Sequence, residues 1–516
     1  MNTLTIDGKS LTINEVIKAA NNPDIRVILS DPAKKAVSEN RKLLESMLNE
    51  DKPIYGINTG FGDLANVAIA KEKLSQLQVN LIRSHAVAVG KPLAENIVRA
   101  VLLLRANTLA RGASGARLDL LEALLDLLNC GVIPIIPEQG SLGASGDLAP
   151  LAHMALTLMG EGNAIYKGEL MKASKALKLA NLNPVSLKAK EGLALINGTP
   201  VMSAIACFNL HFAEKLLKSA SLISAMSIEA LRGTEKAFDK RIHELRGQKG
   251  QIEIARHLRE TLSGSQIRES HRTCEKVQDA YSLRCTPQVL GAALDAFKHT
   301  AEVIETEINA VTDNPLVFED GIFSGGNFHG EPVGLVMDYL SCALSEAGAI
   351  SERRTFRLLT SSLSDLPPFL IKDSGVNSGL MITQYTAASL ASENKGLCHP
   401  ATVDSIPSSA DQEDHVSMAT TAARKTKEIT TNLASILAIE YLCSGQAIDI
   451  LKPMKPSPTT NAAVKLLRTK VEFITEDRWF GPDIEAAREI IESGELLEIT
   501  NSTSNFKWSY NLKGSC

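Results

Sequence analysis

The 516 residues carry 54 Lys and Arg against 59 Asp and Glu, a net charge of −5 spread along the chain, with 44% apolar and 22% charged residues. This is the balance of an ordinary globular protein, long enough for up to about three average domains or for one assembly built on long helices. The most basic stretch, Lys240 to Lys276, is interleaved with glutamates, which makes it a solvated face and argues against a nucleic-acid partner.

The eight cysteines, at 130, 207, 274, 285, 342, 398, 443 and 516, form no C-x-x-C pair and point to free thiols in a reducing cytosol rather than a disulfide framework or a zinc site. The first residues show neither a basic region nor an apolar export segment, and no window holds the roughly 18 uncharged apolar residues of a membrane span. The expectation is a soluble, cytoplasmic protein with no membrane partner.

Along the chain, TLTI and SLTI flank Asp7-Gly8-Lys9 and predict a hairpin, while Thr12 and Glu15 form a capping box that starts a helix near Ile13. Short elements follow to about residue 65, among them a loop over YGINTGFG, residues 55–62. Helical periodicity then covers roughly 69–80, 95–130, 200–231, 287–311, 336–350, 378–394, 429–437 and 460–475. Several runs are longer than an average helix, which predicts a mainly α fold, a long antiparallel helical bundle with a smaller N-terminal α+β part. The expected division is 1–115, carrying Tyr55 and Ser84-His85, and 116–516, the bundle. The tail NSTSNFKWSYNLKGSC is expected to be frayed or peripheral.

Glycine-rich, polar segments interrupt the helices at 55–62, 140–147, 191–199, 278–288, 324–331 and 404–414, where a rigid scaffold would mount functional groups. Familiar motifs fail along the chain. Gly8-Lys9-Ser10 lacks the earlier glycine of a phosphate loop, because that position is Thr3. Gly140, Gly143 and Gly146 are not spaced for a dinucleotide, and Ser145 in G-A-S-G is not a nucleophile elbow. His243-Glu244 lacks a second histidine, and no metal site is expected.

Residues 140–153, GSLGASGDLAPLAH, remain. In Ala144-Ser145-Gly146 the small side chains let the backbone fold sharply, which would allow the Gly146 amide nitrogen to reach the Ala144 carbonyl carbon and close a five-membered ring. Loss of water from Ser145 then leaves a conjugated methylidene, a strong electrophile. Alternatively, the segment is a plain loop in which Asp147 caps the next helix.

The segment resembles the prosthetic-group block of the ammonia-lyases and aminomutases that use 4-methylideneimidazol-5-one. YGINTGFG, NLIRSHAVAVG, EGLALINGT, VQDAYSLRCTPQV, SGGNFHGEPV and SSADQEDHVSM resemble further blocks of that family, in family order, over roughly residues 53–420. The resemblance implies that Ala144, Ser145 and Gly146 form the electrophile in a self-catalysed step, with no external cofactor. It further implies that Tyr55 and Tyr281 are catalytic, that Arg284 binds the substrate carboxylate, and that Asn197, Gln278 and Phe328 surround substrate and ring. Guanidinium binds carboxylate in bidentate fashion, and a tyrosine base requires a depressed pKa.

Two positions bear on the substrate. Ser84-His85 and Glu413 resemble the histidine members of the family, and an imidazole, with one donor and one acceptor, suits a histidine and a carboxylate. The implied reaction converts L-histidine to trans-urocanate and ammonia. The alternatives are a tyrosine or phenylalanine ammonia-lyase or aminomutase, or a helical scaffold paralogue that has lost catalysis. Two departures from the family pattern, Ala280 in place of proline and Gly330 in place of alanine, touch loop rigidity and remove no functional group. The family also implies a homotetramer whose active sites draw loops from more than one chain.

Overall fold

The computed structural model describes residues 2–48, 57–60, 69–272, 277–504 and 506–514. Strand β1 (Thr3–Ile6) leads into α1 (Ile13–Asn21) and then β2 (Arg26–Leu29), which pairs with β1 in parallel, Thr3 opposite Arg26. The hairpin expected at Asp7-Gly8-Lys9 is therefore absent. Asp7 Oδ1 accepts from the amides of Lys9 and Ser10, and the Leu11 backbone is held on both sides by Asn309, so the SLTI run has no groups left for a ladder. The capping box forms as expected, with reciprocal Thr12 and Glu15 bonds starting α1 at Ile13.

After α2 (Asp31–Met47) and α3 (Leu74–His85), β3 (Val89–Pro92) leads to α4 (Glu95–Leu109) and α5 (Leu118–Cys130). The run expected over 95–130 is thus two helices, broken where Gly112 and Gly115 take φ of +65° and +68°. Small strands β4 (Val132–Pro134) and β5 (Pro137–Gln139) precede α6 (Leu148–Leu158). Strands β6 (Asn163–Tyr166) and β7 (Glu169–Lys172) join β4 in an antiparallel sheet, and β3 pairs with β5. Helices α7 (Ala173–Leu179) and α8 (Glu191–Ile196) then lead into the bundle.

The bundle is built on α9 (Pro200–Ala230), with the shorter α10 (Lys240–Arg246), α11 (Lys249–Thr261), α12 (Gln266–Glu269) and α13 (Tyr281–Arg284) preceding α14 (Thr286–Glu307). A two-stranded ribbon, β8 (Leu316–Phe318) and β9 (Gly321–Phe323), comes before α15 (Glu331–Leu359) and α16 (Ser361–Ser364). Then follow α17 (Met381–Leu397), α18 (Ala419–Ile450), α19 (Pro458–Arg468), α20 (Gly481–Ser493) and α21 (Glu495–Thr503). Helices α9, α14, α15 and α18 pack on one another, and one continuous apolar core runs from Ile6 to Leu512.

By length and composition α15 and α18 alone would pass for membrane spans, but most of each apolar window is buried among the other helices. They are apolar because they are the core. A central buried network ties them together: Arg354 on α15 makes a two-pronged ion pair with Glu440 on α18, and Ser227 and Ser351 donate to the same carboxylate. The six described cysteines are all free thiols.

The tail over residues 506–514 is peripheral, as one alternative expected, but not frayed. Phe506, Tyr510 and Leu512 are buried, Trp508 lies against the His257 ring at 4.7 Å, and the Tyr510 hydroxyl donates to Asp295. Apolar side chains at 506, 508, 510 and 512 have the two-residue period of an extended strap with one face on the bundle.

Candidate active site

The turn at 143–146 sits where three elements converge: the start of α6, the α8–α9 junction at Asn197-Gly198, and the segment leading into α18. Gly143 and Gly146 take φ of +72° and +74°. A Cβ built on Gly146 would lie 2.0 Å from the Gly198 carbonyl oxygen, and one on Gly143 would lie 2.2 Å from Ser417 Oγ. Both positions need bare backbone on conformational and steric grounds alike.

The peptides of the two loops lock together. Asp147 N–H donates to the Gly198 carbonyl at 2.7 Å, and Gly198 N–H donates to the Ser145 carbonyl at 3.3 Å. Among the described residues, the Gly146 N–H and the Ala144 carbonyl have no hydrogen-bond partner. These are the two groups that a ring closure would join.

Asp147 precedes α6 but does not cap it. Its carboxylate reaches the first turn of α9 instead, where Oδ2 accepts from Val201 and Met202 N–H, both at 2.9 Å, while Oδ1 accepts from Ser141 and Thr420 hydroxyls. Complete burial raises its carboxyl above the ordinary range, and these four bonds pull the other way, toward the ionised form. The turn, α9 and α18 are thereby pinned to one side chain.

Above the turn lies a cavity of about 630 Å³, walled by Leu81, Leu148 and Leu193 and by Phe328, with His85, Asn197, Ser145 and Glu413 presenting polar groups to it. Ser145 Oγ donates to Glu413 Oε1 at 3.1 Å, and Ser408 Oγ donates to Oε2 at 3.1 Å. The Glu413 loop is tight, with Ser409, Ala410 and Asp411 all at φ above +50° and Ser408 and Glu413 paired through their backbones.

At the far wall His85 Nδ1 lies 3.0 Å from Ser84 Oγ, which itself donates to the Leu81 carbonyl. Burial lowers the His85 pKa from its usual value, outweighing the opposing pull of Leu81 and Glu413, so the imidazole is neutral at pH 7. Asn197 donates from Nδ2 to the Asn314 carbonyl at 2.8 Å, and its buried Oδ1 has no partner among the described residues.

Of the residues singled out from sequence, Ala144, Ser145, Asn197, His85, Phe328 and Glu413 line this one cavity. Gly146 follows Ser145 and packs against Gly198, and Ser84 bonds the His85 ring. Tyr55 lies outside the described residues. Gln278, Tyr281 and Arg284 are elsewhere. Tyr281 is 72% exposed, with the Arg284 guanidinium over its ring. Their helix, α13, is tied to α15 at Arg354, which donates to the Ser282 carbonyl, whereas the cavity is tied to the other end of α15 through Gly330. At 1.5 Å per residue those two points are about 35 Å apart, so within one chain Tyr281 and Arg284 do not reach the cavity.

His329 and His415, whose rings stack at 5.7 Å, also line the cavity and escaped sequence reasoning. With Glu331 they place potential metal-ligand atoms within 4.8 Å of one another. Both His329 nitrogens are already engaged, Nε2 toward the His415 carbonyl and Nδ1 accepting from the Glu331 amide. The sequence signal for all three lay inside the blocks NFHGEP and QEDH, beside the residues that were chosen.

This arrangement joins an unengaged amide and carbonyl in a bare-backbone turn to a half-apolar cavity carrying an imidazole and a carboxylate. The chain as a whole is similar to known proteins. The sequence is 50% identical over 501 residues to the histidine ammonia-lyase of Caldanaerobacter subterraneus subsp. tengcongensis, covering 97% of this chain and 98% of that one. It is 51% identical over 492 residues to that of Symbiobacterium thermophilum, covering 95% and 97%. The structure matches the crystal structure of histidine ammonia-lyase from Trypanosoma cruzi with a TM-score of 0.91 at 39% identity, over 100% of both chains. It matches tyrosine aminomutase from Streptomyces globisporus with a TM-score of 0.92 at 36% identity, over 98% and 99%. With residues 11–469 also matched by the family's own sequence profile, the chain belongs to the aromatic amino acid lyase family.

Proposed function

We propose that the chain converts L-histidine to trans-urocanate and ammonia, as a cytoplasmic homotetramer, with a 4-methylideneimidazol-5-one group made from Ala144, Ser145 and Gly146. The observation that carries this reading is that one cavity brings His85 and Glu413 together with the Ala144-Ser145-Gly146 turn, Glu413 bonded directly to Ser145. The turn suits the group: a side chain at Gly143 or Gly146 has no room, and the orphaned Asn197 Oδ1 faces the site. When formed, the group supplies an electrophile for the substrate amine, which ordinary nucleophilic side chains do not offer.

The chain's own residues do the rest. Because the Ser84 hydroxyl donates to the Leu81 carbonyl, it accepts from His85 Nδ1–H, and His85 Nε2 is left as an acceptor for a ring N–H. Glu413 offers a second acceptor, and the leucine walls and Phe328 exclude water. A phenylalanine ring would satisfy neither polar group, which disfavours the aromatic readings.

The carboxylate clamp and one tyrosine come from a neighbour in this reading, as Arg284 and Tyr281 of the partner subunit, with Gln278 of the partner subunit beside them. Two observations support assembly: the distance of α13 from the cavity in its own chain, and the exposure of Val277, Leu335, Tyr339, Ile382 and Tyr385. The β-proton is taken by a tyrosine oxygen, Tyr55 or Tyr281 of the partner subunit.

A substrate panel tests the assignment. L-histidine, L-phenylalanine and L-tyrosine are offered separately, with ammonia and the conjugated acid as readouts. Turnover of histidine alone is expected. Turnover of an aromatic substrate, or a β-amino acid product, would overturn the His85–Glu413 pocket while leaving the prosthetic group in place.

The pH profile tests His85 separately. Its folded pKa is depressed, so the neutral, accepting form persists as pH falls through 6.5, and the His85 limb of kcat/KM lies below that value. The same depression means that the unfolded chain binds this proton first, so the stability linked to His85 is full above about 6.5 and is lost as pH falls. Mutation of Ser84 to alanine should move the limb, and an unmoved limb at or above 6.5 would remove His85 from the binding role.

A further inference from the structure

Behind the turn, on the side away from the cavity, three fully buried charges stand together: Arg105 in the middle of α4, Lys190 at the start of α8, and Asp313. Lys190 Nζ donates to Asp313 Oδ2 at 2.8 Å. Two cations thus share one carboxylate, and the excess positive charge falls to Arg105. Among the described residues its guanidinium makes one hydrogen bond, from Nη1 to the Asn197 carbonyl at 2.7 Å, while Nε and Nη2 have no partner. Burial draws its pKa down to about 10, which still leaves it charged at neutral pH. A cation buried with so few bonds is costly unless the site uses its field.

The path of that field is visible in the hydrogen bonds. The Asn197 carbonyl and the Gly198 N–H belong to one peptide unit, and the Gly198 N–H donates to the Ser145 carbonyl. The Ser145 carbonyl and the Gly146 N–H belong to the next unit. The sequence is guanidinium, peptide 197–198, peptide 145–146, each polarising the one after it. Gly198 makes the close approach possible, since a Cβ there would lie 2.9 Å from Arg105 Nη1 and 2.6 Å from the Thr312 carbonyl oxygen.

We infer that Arg105 is a positioning residue for prosthetic-group formation, acting through peptide 197–198 to draw electron density from the Ser145–Gly146 peptide. The inference rests on the ring's origin in Ala144-Ser145-Gly146. Ring closure forms a bond from Gly146 N to the Ala144 carbonyl carbon; the Ala144 oxygen leaves as water with the Gly146 N–H proton and the Ser145 N–H proton. The second water takes the Ser145 hydroxyl and the Ser145 Cα proton, and no oxidant is needed. Both events improve when the Ser145 carbonyl is pulled upon. The Gly146 N–H becomes more acidic, and the negative charge left by the departing Cα proton, which is α to that carbonyl, is stabilised.

The test follows maturation rather than turnover. Wild type, Arg105→Gln and Arg105→Lys are synthesised in a cell-free system and sampled over time by intact mass and by the mass of the peptide holding residues 143–146, with thermal melts as the folding control. Arg105→Gln should lose its two waters about tenfold more slowly than wild type while still folded. Arg105→Lys should stay close to wild type, because the site uses one N–H and the charge, and lysine supplies both. Folded Arg105→Gln that matures at the wild-type rate, or Arg105→Lys as slow as Arg105→Gln, would overturn the relay.

If Arg105→Gln does not fold, Lys190→Gln carries the same test. Losing Lys190 frees the Asp313 carboxylate to neutralise Arg105, so maturation should slow, and an unchanged rate overturns the proposal. A wild type that loses no water at 143–146 is a different failure, that of the prosthetic-group reading itself.

Discussion

Gly112-Ala113-Ser114-Gly115 and Gly143-Ala144-Ser145-Gly146 are the same four residues used twice in one chain. Both are loops before a helix, and all four glycines take positive φ between +65° and +74°. What surrounds them differs. At the first, the Gly115 N–H donates to Asn40 Oδ1 at 2.8 Å, the Ala113 carbonyl accepts from Val317 N–H at 2.8 Å, and the Gly115 carbonyl accepts from Arg41. The loop is stitched to α2 and β8 through the very groups that ring closure would need. At the second, the corresponding amide and carbonyl have no partner among the described residues, the serine hydroxyl meets a carboxylate at the cavity, and the peptide between them leads back to Arg105. The tetrapeptide supplies conformational freedom, and the neighbours decide whether that freedom becomes chemistry.

The two serines break this comparison most sharply. On the proposed origin of the prosthetic group, mutation of Ser145 to alanine removes the precursor of the methylidene carbon and should lower kcat by at least about a thousandfold, the order expected when the group that splits a difficult step is lost. Mutation of Ser114 to alanine should leave kcat within about twofold. Ser114 Oγ is buried with no partner among the described residues, so its removal should raise stability by about 1 kcal/mol, a small upward shift in melting temperature. Equal losses of activity in the two variants would show that the loops share a role.

Legibility followed the range of the interactions involved. The Thr12–Glu15 box was readable because both partners lie within one turn, and the long helices because their periodicity repeats over many residues. The hairpin failed because Asn309, nearly 300 positions away, takes the Leu11 backbone. The packed tail was legible in principle, from the two-residue period of Phe506, Trp508, Tyr510 and Leu512; of the two expectations, frayed or peripheral, the structure fits the second. Most of the chosen site residues gather at one cavity, those at 144–146, 197, 328 and 413 from polar blocks that break helices and Ser84-His85 from the last turn of α3. Arg105 has no such marker. Within VRAVLLLRANTL it looks like one charge on an apolar helix, and only the fold sets it under the Asn197–Gly198 peptide. Tyr281 and Arg284 carry the opposite lesson, since their motif is plain in the sequence and the fold still sets them far from the cavity of their own chain.

Asn40 offers the smallest change and the finest test of the comparison. Its Oδ1 accepts from the Gly115 amide and its Nδ2 donates to the Val317 carbonyl at 2.9 Å, both inside the protein. Truncation to alanine leaves that amide and that carbonyl unpaired and should cost about 1–3 kcal/mol, seen as a lower melting temperature. It also sets the Gly115 N–H free, as at Gly146. The peptide from Gly112 to Arg117, released by trypsin after Arg111 and Arg117, should nonetheless keep its full mass. Val317 still holds the Ala113 carbonyl, and among the described residues Ser114 Oγ meets no carboxylate and no buried cation is linked to the peptide between Ser114 and Gly115 through a second peptide. Loss of water from this peptide would mean that a free amide in a Gly-Ala-Ser-Gly turn is sufficient, and that Glu413 and the Arg105 relay only tune the rate. Full mass there, with normal maturation at 143–146, would place the decision in the surroundings of the turn.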